Sequence, residues 1–382
     1  MKIGITCYPT YGGSGVLATE LGKALAERGH SVHFISYALP LRLDRFVENV
    51  YFHEVELSNY PLFEFPLYSL ALTSKMIEVM EYEKLDIIHA HYAIPHSVSA
   101  YLAKQVLHRN NKRVNVVTTL HGTDITLVGL EPSFLPLVKF SIEESCGTTA
   151  VSRFLKEKTI TNYDINKDIR VIYNFIDTDL YKPMPSKKLR EHIAPNGEKI
   201  LIHVSNFRAV KRAPDVVRIF NKVQKEIPSK LVLVGDGPDR AECDKLAREF
   251  KIQNDVIFLG KQEALVEILN SADLFLIPSQ SESFGLSALE AMACGLPVVS
   301  SSVGGLPELI KHNETGYIAE IGDVDRMARY AIELLTNDRK YELFSKNSRD
   351  RAVNSFDKNI IVPQYEAYYQ EIIDKGSDCS DD

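Results

Sequence analysis

Glu282 and Glu290 stand eight residues apart in the stretch SESFGLSALEAMACGLPVV, Ser281 to Val299, around a Phe284-Gly285 pair and ahead of a Gly-Leu-Pro stop. A carboxylate accepts hydrogen bonds from two neighbouring hydroxyls, as a sugar diol requires, and the N–H groups at a helix start donate to a phosphate. Glu282 falls in the loop after the strand-like ADLFLIPS and Glu290 in the helix that follows. One acid is thus placed for a hexose and the other for a ribose. The plainer readings are a turn residue for Glu282 and, for Glu290, an exposed acid early in a helix, favoured by the dipole.

SNFRAVKR, Ser205 to Arg212, follows the strand-like KILIHV and supplies Asn206, Arg208, Lys211 and Arg212. Cations at the carboxyl end of a parallel strand are placed to meet a diphosphate; the alternative is a solvated surface cluster. YGGSGVLATELGKALAERGH holds Gly13-x-Gly15-x-x-Ala18 at a strand-to-helix turn. A dinucleotide fold needs an acid about 20 positions on to bind the ribose, and the segment there, HFISYAL, has none. What survives is a glycine turn that lets a phosphate approach the backbone, or a tight turn and nothing more. His121, in TTLHGTD at a strand end, is placed like a ligand contact, with a buried structural histidine as its alternative. His89-x-His91 and Asp177-x-Asp179 have metal-like spacing, but the histidines share a strand face with no third ligand nearby in sequence and the aspartates sit where Asp favours a turn. The expectation is no metal and no cofactor.

These residues need a scaffold, and 382 residues predict about two domains. Short apolar runs (KIGITCY, SVHFISY, LDIIHAH, RVNVVTTLHG, GTTAVS) alternate with amphipathic stretches, including a helix over about Ser14 to Arg28, as βα units on a parallel sheet do. The pattern pauses over residues 170–198, read as a linker, and resumes with KILIHVSNF, SKLVLVGDG, DVIFLG and ADLFLIPS and helices near 213–226 and 240–250. The fold class is therefore α/β, with two doubly wound sheets whose strand ends face a central crevice. A last helix over about Lys358 to Asp374 carries Tyr365, Tyr368, Tyr369, Ile372 and Ile373 on one face, which must be buried; residues 377–382 read as a disordered tail.

The net charge of −7 argues against nucleic-acid or anionic-membrane partners. Five cysteines without a CxxC pair read as reduced thiols, and no apolar run approaches the roughly 20 residues of a membrane span. The expected compartment is the cytoplasm. Homo-oligomerisation stays open.

Taken together, the glycine loop, TTLHGTD, SNFRAVKR, LVGDGPDR and ESFGLSALE resemble the retaining glycosyltransferases of family 4, with their two-domain GT-B fold of Rossmann-like halves, and the resemblance spans the chain. CYPTYGGSGVLATELGKALAERGHSVHFISYALPLRL, HAHYAIPHSVSAYLAKQ and TTLHGTDITLVG look like the members that transfer N-acetylglucosamine from UDP-GlcNAc to L-malate in bacillithiol biosynthesis. The resemblance implies an acceptor-side domain of residues 1–170 plus about 358–376, with the last helix crossing back, and a nucleotide-sugar domain of 171–357. It implies catalytic roles for His121, Lys211 and Glu282. Donor contacts would come from Gly15, Asn206, Arg208, Lys211, Glu282, the amides near Phe284, Gly285 and Leu286, and Glu290 on the ribose. Malate contacts would come from Ser14, Gly15, Tyr92, Thr118, Thr119 and Asn206. Many relatives carry arginine where this chain has Asn206, and Arg208 is a candidate for the replacement cation. Arg153, just after TAVS, is a further candidate partner for a carboxylate, or a surface helix residue. Another acceptor, a UDP-GlcNAc epimerase and a non-catalytic sugar-nucleotide sensor remain the rival readings.

Overall fold

The computed structural model describes residues 1–10, 12–43, 45–57 and 65–376. The chain divides into two units, one built from Met1–Asn174 with the segment from Asn359 on, the other from Phe175–Lys358. The predicted tail over 377–382 lies outside the described residues.

The first unit holds β1 (Lys2–Thr6), β2 (Ser31–Ser36), β3 (Val50–Glu54), β4 (Ile87–His91), β5 (Asn115–Leu120), β6 (Gly147–Ala150) and β7 (Ile169–Val171). All seven strands are parallel, in the order β3-β2-β1-β4-β5-β6-β7. β1, β2, β4, β5 and β6 are buried along almost their whole length, as strands of a parallel sheet covered on both faces are. The helices Tyr68–Glu83 and Val98–Arg109 close one face with Leu72, Met76, Val79, Ala100 and Leu107 against Ile35, Ile88 and Val116.

The second unit repeats the plan with β8 (Lys199–Val204), β9 (Ser229–Val234), β10 (Val256–Gly260), β11 (Leu274–Ile277), β12 (Val298–Ser301) and β13 (Gly316–Ala319), parallel in the order β10-β9-β8-β11-β12-β13. Phe220 on the helix Ala213–Gln224 is fully buried with Leu201, Val216, Leu231 and Leu334. Truncating such a ring to alanine costs about 3–5 kcal/mol.

In both sheets the strand order reverses beside the first strand, between β1 and β4 and between β8 and β11. Loops diverge there, so a crevice opens at the carboxyl ends of those strands, where open α/β sheets bind ligands.

The last helix spans Lys358–Asp374, as the tyrosine spacing predicts, and returns to the first unit. Tyr369 shares a 2.7 Å hydrogen bond with His89 Nδ1, Arg170 stacks 4.2 Å from the Tyr368 ring, and Glu366 accepts from Arg28 and pairs with His30, each at 2.7 Å. The residues read as a linker are not structureless: β7 ends inside that segment and Lys187–Ile193 forms a helix. Both elements are too short for periodicity to register.

Candidate active site

The loops after β8 and β11 meet because those strands are neighbours. Gln280 N donates to the Val210 carbonyl at 2.7 Å, tying one loop to the other. On that tie Lys211 Nζ donates to Glu282 Oε1 at 2.7 Å, and the Ser279 hydroxyl donates to the same oxygen at 3.0 Å. Both charged side chains are largely buried, at 23% and 11% exposure, so each compensates the other's desolvation. Below them His203 bridges the Leu276 carbonyl and the Ser205 hydroxyl, at 2.8 Å each, and burial drops its pKa to about 4.

Glu282 leads into the helix Leu286–Ala293, whose N-cap is Gly285 with no side-chain cap. Gly285 has φ +99°, a left-handed conformation natural to glycine, and a Cβ there would stand 2.6 Å from Leu306 Cδ2. Phe284 is a core residue, edge-on to Phe356 at 5.4 Å, so only its backbone is left for a ligand. The same loop rests on Gly304 and Gly305. The Gly305 N–H donates to the Glu282 carbonyl at 3.0 Å, and a Cβ on Gly304 would fall 1.7 Å from that oxygen. Glu290 is buried within the helix and accepts from the Tyr181 hydroxyl at 3.0 Å. The exposed-acid reading of Glu290 is therefore overturned: its face of the helix packs inward.

Asn206 and Arg208 are exposed in the loop after β8, whereas Arg212 is held by Asp215 at 2.6 Å. Asp177 accepts from the N–H groups of Asp179 and Leu180, at 2.9 and 3.1 Å, forming a turn.

In the first unit, the Ser14 and Tyr92 hydroxyls share a 2.6 Å hydrogen bond, and the Tyr92 ring lies 5.2 Å from His121 and 5.7 Å from Tyr8. Tyr92 follows β4 at φ +88°, a strained setting for a side chain that its bonds must hold. Burial lifts its hydroxyl to about 12 against the opposing pull of the Ser14 bond. The helix Gly13–Glu27 begins at N-cap Gly12, again with no side-chain cap. A Cβ on Gly15 would lie 2.6 Å from the Tyr8 carbonyl, so this glycine serves close packing of the turn as well as ligand approach.

His121 Nε2 and His91 Nδ1 are 2.8 Å apart, and burial followed by His96 drops the His121 pKa to about 3. The ring is neutral. Asp124, not singled out by the sequence, accepts from the N–H groups of His121, Gly122 and Ala93 at 3.2, 2.9 and 2.9 Å and so fixes the loop. Its acidity is weakened by burial against those bonds.

Three candidates stand apart from this group. The Thr118 hydroxyl lies 2.7 Å from those of Ser97 and Ser145, and Thr119 is bonded to His89 and Thr149 at 2.6 Å. Both are fully buried with their hydroxyls spent inside the protein, which counts against a direct substrate contact. Arg153 is exposed at the first position of the helix Arg153–Tyr163.

Residues 186–351 match the model of Glycosyl transferases group 1, and residues 11–180 match Glycosyltransferase Family 4. N-acetyl-alpha-D-glucosaminyl L-malate synthase of Bacillus anthracis is 49% identical over 374 residues, 98% of this chain and 97% of that protein. The chain belongs to family 4 of the glycosyltransferases. D-inositol 3-phosphate glycosyltransferase of Mycolicibacterium smegmatis is a more distant relative of this glycosyltransferase, 30% identical over 70% of the chain and 63% of that protein. Among solved structures, Anabaena HepE in complex with UDP and glucose superposes with a TM-score of 0.82 at 22% identity, covering 97% of this chain and 99% of that one. That likeness gives the glycosyltransferase the GT-B fold. Among the described residues no helix is long and apolar enough to cross a membrane.

Proposed function

We propose that this glycosyltransferase moves N-acetylglucosamine from UDP-GlcNAc to the hydroxyl of L-malate with retention of configuration. The observation that carries the reading is the 49% identity, across nearly both full lengths, with the Bacillus anthracis malate synthase.

The second unit takes the donor. Glu290 accepts the ribose hydroxyls, as a carboxylate can accept from two neighbouring hydroxyls, with Tyr181 bonded to its Oε1. The diphosphate meets the uncapped start of the helix Leu286–Ala293, where the dipole and backbone N–H groups favour negative charge. Lys211 exchanges its Glu282 partner for the diphosphate, and the freed Glu282 grips sugar hydroxyls. Arg208 adds a second cation, and the Asn206 amide a neutral donor.

The first unit takes the acceptor with Ser14, Gly15, Tyr92 and neutral His121. The malate hydroxyl attacks the anomeric carbon on the face from which the diphosphate departs, its proton passing to a departing phosphate oxygen. Negative charge grows on that leaving group, where fixed donors matter most. The four described free cysteines support a reducing compartment, the cytoplasm.

Incubation with UDP-GlcNAc and a panel of hydroxy acids, read by mass spectrometry and by the anomeric proton coupling, tests this. The expected product is α-linked GlcNAc-malate with stoichiometric UDP. Transfer only to another hydroxyl compound overturns the acceptor, and epimerised donor in the absence of any acceptor overturns the transferase reading.

A further inference from the structure

At the outer edge of the first sheet, His33 on β2 and His53 on β3 share a face, and Glu83 ends the helix Tyr68–Glu83 that packs beside them. We propose that His33, His53 and Glu83 form a binding site for a divalent first-row transition ion of the zinc class. The parallel register sets Tyr51 opposite His33, so His53, two residues on, falls on the same side. One ligand atom from each of the three residues lies within 4.8 Å of the other two. His33 Nδ1 and His53 Nε2 already stand 2.9 Å apart.

The outer contacts prepare the site. His33 is 1% exposed, and its Nε2 lies 3.0 Å from the Ser31 hydroxyl. With the proton on Nε2 donated to Ser31, the Nδ1 lone pair points at the site, the arrangement by which an outer hydrogen bond orients a metal-bound imidazole. The ring is clamped further by stacking on Tyr51 at 4.8 Å. His53 and Glu83 are half-buried, so ion and water can reach them. Ligands at about 2.0–2.2 Å from a tetrahedral ion lie roughly 3.4 Å apart. The carboxylate, on the longest and freest of the three side chains, makes the closing movement. Two imidazoles and one carboxylate suit zinc, cobalt or iron and not magnesium or calcium, and they leave a fourth position for water. Lys2 Nζ is turned onto the Glu83 carbonyl at 2.8 Å and leaves the carboxylate to the ion. An ion here joins the edge strand β3 to β2 and to the end of a helix.

The full-length protein, stripped with a chelator, is titrated with Co2+ followed by visible absorption, then with Zn2+ and anaerobic Fe2+ in competition, with Mg2+ and Ca2+ as controls. One equivalent of Co2+ with intense tetrahedral d–d bands, displaced by Zn2+ in preference to Fe2+, is expected. His53→Gln and Glu83→Gln, both at half-buried positions, should abolish the bands while keeping the metal-free melting temperature. Ser31→Ala should weaken binding by about 10–100-fold. Added Zn2+ should raise the melting temperature of the unsubstituted protein alone. Absence of one-equivalent binding, or binding unchanged in His53→Gln, overturns the site.

Discussion

Lys211 Nζ and Glu282 Oε1, from loops 71 residues apart, are joined at 2.7 Å. The bond fixes both side chains where the two loops meet, so their orientation is built into the fold and not acquired during the reaction. Lys211→Ala or Glu282→Ala should lower kcat about a hundredfold or more, the scale of one lost transition-state donor. Steady-state kinetics with UDP-GlcNAc and malate check this. Near-normal turnover in Lys211→Ala removes that lysine from the chemistry.

Glu290 separates binding from stability. Glu290→Gln keeps an acceptor for Tyr181 but loses the charge, and should raise KM for UDP-GlcNAc more than it lowers kcat. Glu290→Ala leaves the buried Tyr181 hydroxyl without that acceptor and should cost about 1–3 kcal/mol as well. Kinetics and urea unfolding of the two variants together distinguish the effects.

The floor under Glu282 is expected to be as sensitive as the acid itself. Gly304→Ala puts a methyl where the Glu282 carbonyl already lies, at φ +56°, so the loop must move. A loss of about 1–3 kcal/mol and of donor affinity should follow. Unchanged UDP binding by calorimetry would show that the loop position is immaterial.

His89 and His96 are fully buried, and desolvation lowers their pKa values to about 3 and about 4. The unfolded chain takes up those protons near its ordinary value of about 6.5, while the folded chain does not. Stability is therefore complete above pH ~6.5 and drains as pH falls toward ~4, by about 1.4 kcal/mol per pH unit for each ring. Urea midpoints measured across that window should fall less steeply in His89→Gln and in His96→Gln. Parallel slopes would place the acid sensitivity elsewhere.

Much of this was legible in the chain itself. Helical spacing places the helices at 13–27 and 358–374 within a residue or two, because long elements repeat their signal, and apolar runs find β1 and β8 but carry each on by two or three residues. β3, β7, β12 and β13 escaped: β7 is only three residues long, and His53 and Glu54 interrupt the apolar run of β3. At the site, residue type and loop position pick out Lys211 and Glu282, and the family resemblance adds Tyr92 and Ser14, but pairing between loops is a tertiary property. Thr118 and Thr119 sit at a strand end as ligands do, and nothing local reveals that Ser97, Ser145 and Thr149 consume their hydroxyls. The GG of VGGLPE was a readable clue to a close backbone approach, and Asp124 in HGTD one to a capped loop.

The partner of His89 arrives 280 residues after it, on the returning helix. A ribosome making this protein has therefore synthesised the whole second unit before it can deliver the piece that seals the first. Until then the opening half waits with its histidine and tyrosine socket unfilled, and a message cut short before codon 359 yields no finished amino-terminal domain.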